Sequence, residues 1–276
     1  MPSRFAEKYD ASAARNDSLL CVGLDPDPAL IPDGLEPVTF LRRVIEATSD
    51  LVAAYKPNAA FYEALPGGGF EALRTVIASV PQDIPVLLDA KRGDIGNTAR
   101  FYARAVFEGL NADAVTVNPY LGLDALDPFL EYTDRHAFVL CRTSNPGARD
   151  FQDLEVGEGE RLYERVARVC ADLNASHGNV GMVVGATYPE EGARIRALAP
   201  EVAILAPGVG AQAGELAATV KAMLGADGRS LLVNASRGVL YAGQGRGDAG
   251  NYADAARAAA DALRVAINDA RSAAVG

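Results

Sequence analysis

The sequence predicts a (β/α)8 barrel, in which eight parallel strands alternate with helices. Eight short apolar runs recur along the chain, and a segment with helical spacing separates each run from the next. Polar and charged residues cluster directly after the runs, at the end of the barrel where enzymes of this architecture keep their sites. Alternation of strands and helices is typical of a parallel sheet. Eight such units in 276 residues favour a closed barrel over an open sheet.

The predicted strands are short and rich in branched apolar residues, as buried strands are. In chain order they cover residues 19–24, 51–55, 84–88, 114–117, 137–141, 180–184, 202–205 and 231–233.

The predicted helices carry apolar residues every three or four positions, which gives each helix one buried face. After a helical lead-in at 1–17, they cover residues 40–52, 70–79, 98–109, 126–132, 160–176, 189–198, 216–224 and about 251–272. A longer polar insert precedes residue 160. No low-complexity linker divides the chain, apart from a glycine-rich loop at 243–250, so we expect a single domain over residues 1–276.

Composition excludes several classes of function. With 26 basic and 36 acidic residues the net charge is −10, which leaves no positive surplus for a general nucleic-acid binder. No apolar run reaches the roughly 18 residues of a membrane span. The first residues contain no apolar signal core, so we expect a cytoplasmic protein.

Cysteines and histidines are few and widely spaced. Three cysteines without close spacing predict reduced, packed thiols. His136 and His177 both precede apolar runs, which places them at the end of the barrel away from any chemistry. We therefore expect no transition-metal centre.

Residues 84–98, IPVLLDAKRGDIGNT, combine a buried strand with a dense group of charges at its end. Asp89 and Lys91 are two positions apart, so in a strand their side chains point to the same face, about 6.6–6.8 Å apart along the chain. Asn97 is a candidate N-cap for the next helix. Such charges are costly to desolvate unless they pair or take part in chemistry. On charge pattern alone, these residues could form either a structural ion pair or a catalytic group.

Two glycine-rich loops follow the seventh and eighth strands, where such barrels commonly bind phosphate through backbone N–H groups. They read PGVGAQ (207–212) and SRGVLYAG (236–243). Gly208 and Gly238 allow close approach of the backbone, and Arg237 offers a guanidinium that suits phosphate oxygens. Tight turns alone would explain one such loop, but two with an arginine favour phosphate binding. Gln212 and Gln244 are both candidates for a further phosphate contact.

Four charged residues after the first three strands, Asp25, Lys56, Asp89 and Lys91, could form a network of alternating sign. Opposite neighbouring charges favour the charged form of each group. A lysine that forms a Schiff base is expected in a setting that lowers its pKa. The pattern therefore favours a proton-donating Lys91 over the lysine nucleophile of an aldolase.

The string DAKRGDIGNT (89–98) resembles the signature of the orotidine 5′-phosphate decarboxylase family in its bacterial, type 2 form. The resemblance continues over nearly the whole chain, in the family's order, as CVGLD, KPNAAFYE, VNPYLG, TSNPG, ATYPEE, LAPGVGAQ and NASRG. The fifth-strand segment reads TSNPG where some other branches have SHPG. The resemblance implies decarboxylation of orotidine 5′-phosphate to uridine 5′-phosphate (UMP) and CO2, the last step of pyrimidine nucleotide synthesis, without a metal or organic cofactor.

The resemblance also implies roles for individual residues. Lys91 would protonate C6 of the pyrimidine as CO2 leaves, and Asp89 would face the departing carboxylate. Lys56 would hold the network and a ribose hydroxyl. The other implied substrate contacts are Asp25 to ribose, Ser144 to the pyrimidine edge, and Arg237 and Gly238 to phosphate.

A homodimer is implied as well, because family members insert the part that matches Asp94, Ile95 and Thr98 into the neighbouring subunit's site. The loop at 242–250 would close over the substrate, driven by remote phosphate contacts.

Two other functions remain as alternatives. A sugar-phosphate decarboxylase of the wider D-x-K-x-x-D group would use magnesium and need an acidic metal site near Asp89, which the RGDIGNT string argues against. A barrel that only binds a nucleotide as a sensor would not need the alternating acids and lysines.

Overall fold

The structure is a computed structural model that describes residues 3–209, 213–244 and 251–275. Its centre is an eight-stranded parallel sheet. The strands of this sheet are β1 (Leu20–Gly23), β2 (Ala54–Lys56), β3 (Leu87–Arg92), β4 (Ala114–Val117), β5 (His136–Arg142), β6 (Val180–Val184), β7 (Ala203–Pro207) and β8 (Leu231–Ala235).

The sheet closes almost completely into a barrel. Its order is β2-β1-β8-β7-β6-β5-β4-β3, and every neighbouring pair is parallel. The two outer strands, β2 and β3, meet through the isolated bridges Tyr55–Val86 and Asn58–Asp89. The N–H of Asp89 donates to the carbonyl of Pro57 at 2.9 Å across this seam. The predicted (β/α)8 barrel is therefore confirmed.

Helices surround the sheet between successive strands. In chain order they are α1 (Arg4–Arg15), α2 (Pro37–Thr48), α3 (Ala59–Glu63), α4 (Gly69–Ser79), α5 (Gly96–Arg104), α6 (Asp127–Leu130), α7 (Leu162–His177), α8 (Pro189–Leu198), α9 (Ala213–Met223), α10 (Arg237–Leu240) and α11 (Tyr252–Val275). Within the described ranges, none of these helices combines the length and the apolar character needed to cross a membrane.

The core lies inside the barrel and between the barrel and its helices. Every residue of β1, β2, β4 and β6 is buried, which explains why these strands are mostly apolar and show no alternation of apolar and polar residues. The helices bury one stripe each. In α2 this stripe consists of Phe40, Leu41, Val44, Ile45 and Thr48.

Several local predictions were wrong. Asn97 is not an N-cap: α5 begins at Gly96, two residues before the predicted start, with Ile95 in the N-cap position. The helix predicted at 98–109 changes to a π-helical turn at Ala105–Gly109. The short helices α3 and α10 were not predicted. The polar insert contains a 3-10 turn, Pro146–Asp150, and a hairpin of Glu155–Gly157 with Glu160–Arg161.

The histidines and cysteines have the predicted structural surroundings. His136 starts β5 and is buried, with Oγ of Ser3 3.2 Å from its Nδ1. His177 ends α7, and its Nδ1 lies 3.1 Å from the carbonyl oxygen of Leu173. The three cysteines are free and buried.

Candidate active site

An irregularity in β3 places the central side chains of the site. Leu88 pairs with Val115 and Arg92 pairs with Val117, so residues 89–91 of β3 stand opposite a single residue of β4, Thr116. Bulges of this kind bend a strand and re-aim its side chains, and they are common next to active sites. Lys91 lies within the bulge and has a φ of 47°, a left-handed backbone conformation that is uncommon for residues other than glycine.

Asp89 is the centre of the charge network. Its Oδ1 accepts hydrogen bonds from Nζ of Lys91 at 2.7 Å and from Oγ1 of Thr116 at 2.9 Å. Its Oδ2 accepts from Nζ of Lys56 and from Nδ2 of Asn58, both at 3.2 Å. Each carboxylate oxygen therefore holds one lysine and one neutral donor. The side chains of Lys56 and Asp89 are 4% and 12% exposed, whereas that of Lys91 is 48% exposed.

The network keeps its buried members charged. Burial of Lys56 favours the neutral amine, but the carboxylates of Asp25 and Asp89 outweigh burial and raise the pKa of Lys56 above its ordinary value. Burial of Asp89 favours the neutral acid, but Lys56 and Lys91 outweigh burial and lower its pKa below the ordinary value. Near neutral pH the site therefore contains an ionised Asp89 next to a charged Lys56.

Asp25 is held beside this network by the strand ends around it. It is buried, and its Oδ1 accepts a hydrogen bond from the backbone N–H of Asn58 at 3.0 Å. The hydroxyl of Tyr241, which follows α10, donates to the carbonyl of Asp25 at 2.9 Å and accepts from the N–H of Asp27 at 2.7 Å. Tyr241 thus links the loop after β1 to the loop after β8.

Close glycine contacts join the loops at the same end of the barrel. A Cβ on Gly23 would lie 1.8 Å from Oγ of Ser236, so the end of β1 touches the segment after β8. A Cβ on Gly185 would lie 2.7 Å from the backbone N of Ser144, and one on Gly208 would lie 3.5 Å from Oγ of Ser144. Ser144 therefore packs between the loops that follow β6 and β7.

The loop that carries Ser144 is braced from the polar insert. The N–H of Thr143 donates to Oε1 of Gln152, and Nε2 of Gln152 donates to Oγ1 of Thr143, both at 2.9 Å. Arg142, fully buried at the end of β5, stacks its guanidinium over the ring of Tyr188 with 4.1 Å to the ring centroid. The insert thus fixes the backbone directly before Ser144.

The predicted phosphate residues line one cavity of about 640 Å³ beside α11. Gly208, with a φ of 84°, Arg237 and Gly238 all contribute to its wall. Arg237 and Gly238 are exposed at the start of α10. Gln244 is exposed, whereas Gln212 lies outside the described residues, as does most of the loop predicted to close at 242–250.

The structure does not bring Asp94, Ile95 and Thr98 to the network of their own chain. Ile95 is 59% exposed, and Thr98 is exposed as well. In the described part of the chain, the carboxylate of Asp94 accepts a hydrogen bond from the N–H of Ile95 at 2.8 Å. Ile95 and Thr98 are therefore accessible at the surface, and Asp94 is half-buried.

Three residues at the site were not predicted from the sequence: Thr116, Asn58 and Tyr241. Asn58 follows Lys56-Pro57 at the end of a strand, which is a position that could have identified it. Thr116 lies between two valines in an apolar run and gave no signal. Over the described residues, no group of three His, Cys, Asp or Glu side chains is arranged to hold a metal ion.

Known proteins resemble this chain in both sequence and fold. The family model described as Orotidine 5′-phosphate decarboxylase / HUMPS family matches residues 18–252. Orotidine 5′-phosphate decarboxylase of Roseiflexus castenholzii is 53% identical over 271 residues, which cover 96% of this chain and 98% of the relative. That of Azoarcus sp. is 52% identical over 271 residues, with the same coverage. The solved structure of Leishmania donovani OMP decarboxylase superposes with a TM-score of 0.85 and 45% identity, covering 97% of this chain and 98% of the other.

Proposed function

This chain belongs to the orotidine 5′-phosphate decarboxylase family, and we propose that it converts orotidine 5′-phosphate to UMP and CO2, with Lys91 protonating C6 directly. The chain is a carboxy-lyase, as its curated relatives are. The observation that carries the proposal is the Asp89 carboxylate, which holds Lys56 on one oxygen and Lys91 on the other. We propose that residues 1–276 form one catalytic domain.

The different exposures of the two lysines support different roles. Lys56 is almost fully buried and bonded to Asp89, so it serves as a fixed counter-charge. Lys91 is half exposed at the open end of the barrel, where its ammonium can meet a bound ligand. As the bond from C6 to the carboxylate breaks, its electron pair stays on C6, and Lys91 delivers a proton there. Such general acid catalysis contributes roughly 10²–10⁴-fold in rate.

Asp89 supports the release of CO2 through its fixed negative charge. The two lysines lower its pKa, so the carboxylate stays ionised when the negatively charged substrate binds. Like charges in a site of low dielectric repel, and this repulsion is relieved when the substrate carboxylate leaves as neutral CO2. The preorganised lysines stabilise the negative charge that develops at C6. We therefore propose that the reaction uses the protein's own charges, without a metal or organic cofactor.

Contacts remote from C6 would hold the substrate. Arg237, with the backbone around Gly208 and Gly238, suits the phosphate, and Gln212 or Gln244 adds a further contact. Asp25 suits a ribose hydroxyl, and Ser144 suits the edge of the pyrimidine. Because Ser144 packs against Gly208, the pyrimidine and phosphate contacts are mechanically linked. Binding energy from the phosphate can then be used to orient the reacting group.

Incubation with orotidine 5′-phosphate, followed by loss of its ultraviolet absorbance and recovery of UMP, tests the proposed activity. Full turnover in EDTA is expected, and loss of turnover would favour the magnesium-dependent sugar-phosphate decarboxylase. Tight nucleotide binding without consumption of substrate would favour the sensor. Lys91→Ala should lower kcat by about 10²–10⁴-fold while the protein stays folded.

We also propose a homodimer in which Asp94, Ile95 and Thr98 of one subunit enter the neighbouring site. Apolar side chains are exposed at the start of α5, on α5 itself and on the 3-10 turns Pro119–Leu121 and Leu123–Ala125, of which the second contacts both the first turn and α5. They are Ile95, Phe101, Tyr120, Leu121 and Leu123, each 49–80% exposed. Exposed apolar side chains that cluster in one region of a surface are typical of an interaction surface.

Mixing two inactive variants tests the shared site. An Asp94→Ala/Lys91→Ala hybrid dimer contains one site with both native residues, so activity should reappear after subunit exchange. Absence of recovery, with exchange verified by differential tagging, would contradict the shared site. The cytoplasmic location stays a prediction.

A further inference from the structure

Thr116, in the middle of β4, makes three hydrogen bonds through one hydroxyl group. Its Oγ1 accepts from the backbone N–H of Ala90 at 3.0 Å and of Lys91 at 2.9 Å, and it donates to Oδ1 of Asp89 at 2.9 Å. A hydroxyl offers one proton and two acceptor sites, so the hydrogen-bonding capacity of Thr116 is fully used. The residue is 1% exposed, which shields these bonds from competing solvent.

The hydroxyl replaces the regular strand pairing that the bulge removes. Between Leu88 and Arg92, three residues of β3 stand opposite Thr116 alone, so the bulge adds two residues. The amides of Ala90 and Lys91 therefore turn to the threonine side chain. Lys91 keeps its φ of 47° within this arrangement, and such backbone conformations persist where the surrounding structure fixes them.

The same hydroxyl also sets the orientation of the Asp89 carboxylate. Oδ2 of Asp89 is held by Lys56 and Asn58, whereas Oδ1 has Lys91 and Thr116. Without Thr116, the partner left on Oδ1 is the flexible, half-exposed side chain of Lys91. The carboxylate and the ammonium could then rotate together away from the substrate.

We propose that Thr116 is a positioning residue for the decarboxylation. It connects the backbone of Lys91 to the carboxylate of Asp89, so that the proton donor and the charge facing the leaving group keep one relative geometry. Thr116 acts through these two residues and has no contact with the reacting atoms. The inference rests on the proposed function, because it assigns Thr116 to the same site.

Two substitutions of Thr116 separate the effect of its hydroxyl group from the effect of its side-chain shape. Thr116→Val keeps the volume and removes all three hydrogen bonds, and Thr116→Ser keeps the hydroxyl. We expect the valine variant to lose about 100-fold in kcat, the effect of a displacement near 1 Å at a catalytic group. Its KM should change little, because the phosphate contacts are elsewhere. The serine variant should recover kcat to within about fivefold of the native value.

Thr48→Val is the matched control. Thr48 is also fully buried, and its hydroxyl donates to the carbonyl of Val44 at 2.7 Å and lies 2.7 Å from the hydroxyl of Tyr55, at the C-terminal end of α2 and away from the site. Its replacement should lower thermal stability as Thr116→Val does, with native kcat and KM at a temperature where both variants are folded. If Thr116→Val does not fold, Thr116→Ala removes the same hydroxyl and repeats the test.

Turnover of orotidine 5′-phosphate by the native protein, measured in the same assay, distinguishes failure of the proposed function from failure of the positioning role. An inactive native protein would overturn the proposed function itself. An active native protein with kcat of Thr116→Val within twofold would overturn the positioning role alone. Equal loss of kcat in the serine and valine variants would also overturn it, because the effect would then not follow the hydroxyl.

Discussion

Replacing Lys91 by glycine and by alanine separates the chemical role of its side chain from the strain in its backbone. Both variants remove the ammonium and its ion pair with Asp89. Only glycine adopts a φ of 47° without a steric penalty. The two variants should therefore be equally inactive and differ in stability.

The size of the stability difference follows from the backbone conformation. A left-handed φ costs a residue with a Cβ about 1–2 kcal/mol. Glycine also increases the entropy of the unfolded chain, which offsets about 0.4–1 kcal/mol. The lost ion pair is common to both variants and cancels in the comparison. Lys91→Gly should thus be more stable than Lys91→Ala by about 0.5–1 kcal/mol, which is a few degrees in Tm.

Equilibrium denaturation and the ultraviolet decarboxylation assay measure the two effects. The control is Glu158, an exposed hairpin residue with a φ of 50° between two glycines. Glu158→Gly should exceed Glu158→Ala in stability by a similar amount, with native kcat in both. The backbone reasoning is refuted if Lys91→Ala is as stable as Lys91→Gly while the control pair differs. The proton-donor role is refuted if either Lys91 variant keeps near-native turnover.

Three further predictions concern stability. Arg196 donates six hydrogen bonds to five backbone carbonyls. Arg196→Met should therefore lower the free energy of unfolding, measured by urea denaturation, by about 3–5 kcal/mol. A loss below about 1 kcal/mol would contradict this. Burial lowers the pKa of His136 from 6.5 to about 3. Between these pH values the unfolded chain binds a proton at His136 and the folded chain does not. The free energy of unfolding should therefore fall by up to about 1.4 kcal/mol per pH unit as the pH drops through this range. His136→Phe should flatten that pH dependence. Gly23→Ala places a Cβ 1.8 Å from Oγ of Ser236 and should reduce both Tm and kcat, with partial recovery on adding Ser236→Gly.

Much of the barrel follows from the sequence because its strands are buried on both faces. Continuous apolar runs gave β4 and β6 their observed bounds, 114–117 and 180–184. The bounds of α8 were also predicted correctly, since Pro189 fits the first position of a helix. The assembly of Asp25, Lys56, Asp89 and Lys91 at one end followed from the polarity of parallel barrels.

The irregular parts did not follow, because their causes are tertiary contacts. The shared direction of Asp89 and Lys91 was predicted from regular strand alternation, yet the structure achieves it through a bulge and a positive φ at Lys91. The partner that permits this bulge, Thr116, is 25 positions away from Lys91 in the chain. A threonine between two valines is an ordinary strand residue. Its role becomes visible only when β3 and β4 are paired.

The site also closes the barrel, and this ties stability to the proposed chemistry. β2 and β3 meet through isolated bridges, one of which joins Asn58 to Asp89. Across this seam Asp89 also bonds the side chains of Lys56 and Asn58, and its N–H bonds the carbonyl of Pro57. The pKa of Asp89 in the folded chain is below the ordinary value of an aspartate. Its charge therefore stabilises the fold at a pH above the ordinary pKa, and this contribution is lost as the pH falls through the lowered pKa. The carboxylate proposed to repel the substrate is thus held in place by the same contacts that complete the sheet.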